Sequence, residues 1–71
     1  MASIALTELT VPELEALERE QLATSTAAFL AVTAGGREAT PAEQRRVNRL
    51  QRRWERTLDE FERRGLMVRV A

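Results

Sequence analysis

Apolar residues recur along this chain in two long stretches with helical spacing, and each stretch opens on the same signal. The first opens with "TVPE", which places Thr10 as a cap, Pro12 in the first turn and Glu13 three residues after the cap. The second opens with "TPAE", where Thr40, Pro41 and Glu43 repeat the arrangement. In both, the Thr oxygen can accept from a free N–H of the first turn, while the Glu reaches back to the N–H of the cap. Proline is harmless there, because its missing donor has no partner in a first turn anyway. Gly35 and Gly36 follow the first stretch and Gly65 follows the second, where glycine favours a helix stop by entering the left-handed region freely. The pattern predicts a helix over 11–34, a turn over 35–40 and a helix over 41–64, each helix roughly 35 Å long. So short a turn makes the helices antiparallel neighbours. The expected fold is all-α: one domain over 1–71, an antiparallel two-helix hairpin with short extended segments at both ends.

On a wheel of about 100° per residue, Val47, Leu50, Trp54, Leu58 and Phe61 of the second helix form one narrow stripe, spaced as in a coiled-coil seam. On the first helix Leu14, Leu17, Ala28, Phe29 and Val32 answer it, with Gln21 and Ser25 as polar breaks. These residues are the expected hairpin seam. The first helix has a second apolar side, where Ala16, Ala23, Ala27, Leu30 and Ala31 fall together. A two-helix hairpin covers only one of these sides. Small residues let helix backbones approach closely, so Ala23, Ala27, Leu30 and Ala31 are expected to contact another subunit. Alanine is also the best surface helix former, which alone would account for part of this face.

The two ends read differently. "SIALTEL" is rich in branched apolar residues, and Leu66, Val68 and Val70 alternate with Met67 and Arg69. Period-two alternation suggests short strands over 3–9 and 66–70, which could pair with each other or with a neighbour's strand edge.

Charge changes this picture more than composition does. The chain is neutral, with 11 arginines, no lysine and 11 acids. An all-arginine basic set is what a GC-rich coding sequence produces. Up to residue 20 there are five glutamates against Arg19 alone. Arg45, Arg46, Arg49, Arg52, Arg53 and Arg56 lie opposite the seam of the second helix, within an arc of ~120°. Like charges three and four residues apart destabilise a helix by about 0.2–0.5 kcal/mol per pair. An uncompensated ridge of this kind is either a solvated face or a contact surface for acidic protein or phosphate. The acidic start of the first helix lies beside the other end of the second, so the compensating charge is expected from a second copy or from nucleic acid.

Candidate chemistry is sparse. The 71 residues include no Cys and no His, which removes disulfides, the usual zinc ligands and the commonest bases and nucleophiles. "AGGRE" lacks both the spacing and the lysine of a phosphate loop. Glu15 with Glu18, and Glu60 with Glu62, read as solvated helix faces, since two helices build no concave site. Trp54 sits mid-seam and Phe29 and Phe61 lie on apolar stripes, unlike the outward aromatics of a single-strand binder. No enzyme activity, cofactor, metal or small-molecule substrate is expected. The uncharged window over 21–36 is too short and polar to span a bilayer, and the N-terminus shows no signal-peptide pattern. A cytoplasmic protein is expected, or a virion component if phage-encoded.

At "FLAVTAGGREATPAEQRRVNRLQRRWERTLDEFERR" the chain resembles small helical-hairpin proteins of tailed-phage head and tail genes, including the family of the lambda-type W head–tail joining protein. The resemblance spans about residues 11–64 and rests on length, the Gly35–Gly36–Arg37 turn and the Arg/Glu helix containing Trp54. It implies a connector in a virion, usually a ring. Unlike the W pattern, Thr40–Pro41 opens a helix directly, with little room for a β-hairpin between the helices. No functional residue carries over. The expected function is a non-enzymatic assembly module, forming a homo-oligomer or docking on a larger complex. The alternative is a small dimeric nucleic-acid-binding regulator using the arginine ridge as a phosphate track.

Overall fold

Both capping boxes form. The computed structural model describes residues 5–36 and 38–68. Helix α1 runs Val11–Thr33 and helix α2 runs Pro41–Arg63. At the start of α1 the Glu13 N–H donates to Thr10 Oγ1 (3.3 Å), and the Thr10 N–H donates to Glu13 Oε1 (2.9 Å). Thr40 and Glu43 repeat this at 3.2 and 2.9 Å. The Thr10 N–H holds the Glu13 carboxyl below the usual carboxylate range. Thr10→Ala and Thr40→Ala are each expected to lower stability by about 1 kcal/mol, readable as a shift in the denaturant midpoint.

The helix stops use two glycines. After α2, the Leu66 N–H donates to Phe61 O and the Gly65 N–H to Glu62 O, the paired bonds of a Schellman stop. Gly65 has φ 73° and Gly36, three residues beyond the end of α1, has φ 64°; both angles suit glycine and strain other residues.

The helices pack antiparallel as a hairpin, with no strand among the described residues. The expected strands therefore do not form over 5–9 or 66–68, although Ala5 and Leu9 keep extended backbone angles. Leu6–Glu8 form a single 3₁₀ turn, closed by Glu8 N–H to Ala5 O and Leu9 N–H to Leu6 O. Leu66 is consumed in the stop of α2. Residues 3–4 and 69–70 of the expected strands lie outside the described residues.

The core is very small. Among the described residues, Leu14, Ala28 and Val47 are the buried apolar side chains. Leu17, Val32, Leu50, Trp54, Leu58 and Phe61 are half-buried in the seam. Phe29 is the exception to the expected seam, at 50% exposure. On the wheel it lies about 60° round from Leu14, whereas Gln21, Ser25, Ala28 and Val32 stay within about 40°. The polar breaks thus face α2, and Phe29 is turned to the flank. The radius of gyration is 14.2 Å, against roughly 11 Å for a compact domain of this length.

Polar groups complete the seam. Thr57 is fully buried, and its hydroxyl lies 2.5 Å from Gln21 Oε1 across the helices and 3.3 Å from Arg53 O. Ser25, also buried, donates back to Leu22 O. Such satisfied groups avoid the cost of stranding a buried donor.

Candidate interaction surfaces

The six arginines of α2 are all exposed. Arg45, Arg49, Arg52, Arg53 and Arg56 line a trough with Asn48; Arg46 is not part of its lining. Arg53 also borders the gap between the helices, with Leu17, Glu20, Gln21, Thr24 and Leu50.

A second surface follows the opposite flank of the hairpin. Near the turn, the flank holds a groove lined by Leu22, Ser25, Thr26 and Phe29 from α1 and Gln51 and Trp54 from α2. Toward the chain ends it continues as a hollow lined by Glu15, Glu18, Arg19, Leu58, Phe61 and Met67. Leu22 is 40% exposed, so it joins Phe29 as a large apolar side chain facing water. The indole N–H of Trp54 is buried at this groove without an acceptor, a condition native structures ordinarily avoid.

The small-residue face remains open. Ala23, Ala27, Leu30 and Ala31 are all exposed, Leu30 at 57%. It is a different side of α1 from the groove.

Glu60 was missed by pattern reading. The wheel puts it on the outer side of α2, yet it is buried. The N-terminal 3₁₀ turn packs on this end of α2, and two arginines wrap the carboxylate. Arg63 donates through Nε (2.9 Å) and Nη2 (2.5 Å), and Arg64 through Nε (2.7 Å). Arg64 Nη2 also donates to Leu6 O at 2.9 Å, tying the turn to α2. Only that last, long-range bond escapes any helical signal; the Glu60–Arg63–Arg64 spacing is local.

The hydrogen bonds from Arg63 and then Arg64 lower the Glu60 pKa from 4.5 to about 2; the Arg63 guanidinium is correspondingly raised. A carboxylate with a depressed folded-state pKa stabilises the fold above its unfolded value, and that contribution disappears as pH falls. The Glu60 contribution is therefore complete above about pH 4.5 and lost on acidification toward pH 2. Unfolding at pH 6, 4 and 3 should show this loss, and Glu60→Gln should flatten the profile.

Among the described residues, no group of three or more His, Cys, Asp or Glu side chains is placed to hold a metal ion. No described helix is long and apolar enough to cross a membrane. Compared with known proteins, the chain matches no family model, no curated protein and no solved structure.

Proposed function

We propose that this protein is a non-enzymatic assembly module, a hairpin that completes its core against another protein surface. The observation that carries this reading is the contrast between the three buried apolar side chains and the apolar flank left in water at Leu22, Phe29 and the Trp54 groove. A domain of this size holds only about 3–5 kcal/mol in its own core, and oligomerisation is one of the few remedies. No described residue supplies a disulfide, because the chain has no cysteine. The flank, with its larger side chains, is the better contact than the alanine face. The resemblance to tailed-phage joining proteins suits the same role, as a virion connector.

Sedimentation across a dilution series tests the reading. A mass above the 8.0 kDa of one chain supports it, and a folded monomer contradicts it.

The arginine trough favours a second reading, a nucleic-acid-binding regulator. Five guanidinium groups, those of Arg45, Arg49, Arg52, Arg53 and Arg56, line one open trough. Binding would then fall linearly with log salt, and the slope would shrink in Arg49→Glu/Arg53→Glu. Absence of retention on DNA or RNA at low salt removes this reading.

A further inference from the structure

We infer that the arginine trough of α2 holds the phosphate backbone of a double-stranded nucleic acid and reads no base sequence. The inference rests on the second reading above and adds which nucleic acid is met and through which of its groups.

Arg45, Arg49, Arg52 and Arg56 recur at four-three-four spacing, which keeps them within an arc of about 60° on the helical wheel. They form a single file of about 16 Å along α2, and all four are exposed. Arg53 and Asn48 complete the lining on either side. Among the described residues, the lining thus holds no carboxylate, no aromatic and no aliphatic side chain. Like charges three and four residues apart oppose each other in a helix. Phosphates laid along the file relieve that opposition, and their contact with arginine releases condensed counterions.

The composition of the lining decides between polyanions. A protein partner needs apolar or aromatic side chains at the centre of its contact, and the trough offers none. Such side chains lie on the flank, at Leu22, Phe29 and Trp54. The α2 residues of that flank are about 100° or more round the helix from the file, so assembly through the flank leaves the trough open. A single strand is gripped by stacking its bases on aromatic rings, but Phe29, Trp54 and Phe61 line the flank instead. A double helix keeps its bases stacked inside and presents phosphates outside. Asn48 is the one amide in the lining, and its Oδ1 accepts from Gln44 Nε2 at 2.9 Å. That oxygen is the acceptor a contact to adenine would use.

Fluorescence anisotropy on the full chain tests this with probes of equal length: a G·C-only and an A·T-only DNA duplex, a mixed-sequence RNA duplex and a DNA single strand. The two DNA duplexes should bind equally, and a duplex should bind more tightly than the single strand. The RNA duplex separates the two kinds of double helix, and either kind bound on these terms upholds the inference. Five phosphate contacts per hairpin give a slope of about −4.5 against log salt, a roughly 500-fold loss between 50 and 200 mM. Arg49→Gln/Arg52→Gln should reduce that slope by about two, whereas Arg19→Gln, on the flank, should leave it unchanged. Circular dichroism checks that both variants stay helical, which removing like charges from the file favours. A single strand preferred to every duplex, a preference above about tenfold between the two DNA sequences, or a slope untouched by Arg49→Gln/Arg52→Gln overturns backbone binding in the trough and leaves the nucleic-acid reading standing. No retention of any probe at low salt overturns both. Poly-glutamate that competes as well as the duplexes at equal charge overturns the inference and assigns the trough to acidic protein.

Discussion

Leu14→Ala is expected to leave most of the chain unfolded at room temperature. Leu14 is fully buried and is the largest of the three buried apolar side chains. Truncating such a residue removes its transfer energy and leaves a cavity, together about 2–5 kcal/mol. That equals the whole core stability available to a domain of this size. Leu30→Ala provides the control: at 57% exposure it should change stability by no more than about 0.5 kcal/mol. Far-UV circular dichroism against denaturant checks both, and a cooperative Leu14→Ala transition near the wild-type midpoint would show the core lies elsewhere.

Phe29→Glu is expected to abolish self-association, with helix content falling to that of the dissociated wild-type chain. Phe29 is half exposed and borders the Trp54 groove, so a charge there is tolerated in a single hairpin. In an assembly the same charge would be buried against apolar surface. Loss of an aromatic anchor alone is worth about 2 kcal/mol or more, which raises the dissociation constant by about thirtyfold. Leu30→Glu, on the other side of α1, should leave the mass unchanged. The reverse result would move the interface to the face of Ala23, Ala27 and Ala31.

The helices were legible from short-range rules. Thr10 with Glu13 and Thr40 with Glu43 fixed both starts, and Gly65 fixed a stop, because caps depend only on residues three or four apart. The seam was only partly legible. Its positions on α2 include Leu50, Trp54, Thr57 and Phe61, a regular four-three-four spacing, but a hydrophobic filter drops Thr57. The same filter drops Gln21 and Ser25 from α1 and promotes Phe29 into their place. Polarity misleads here because Gln21 and Thr57 satisfy each other across the interface, a pairing that no single helix reveals. Glu60 was hidden for a different reason: its burial depends on the turn at Leu6–Glu8, more than 50 residues earlier. The six arginines were visible as a ridge from the outset, since their disposition follows from the helix period alone.

The most direct measurement is the mass and helicity of the wild-type chain, followed together through dilution by sedimentation and circular dichroism. The account predicts particles of at least two chains, losing helix content as they dissociate. A cooperative, fully helical 8.0 kDa species at the lowest concentrations, with Leu22 and Phe29 in contact with water, would contradict it.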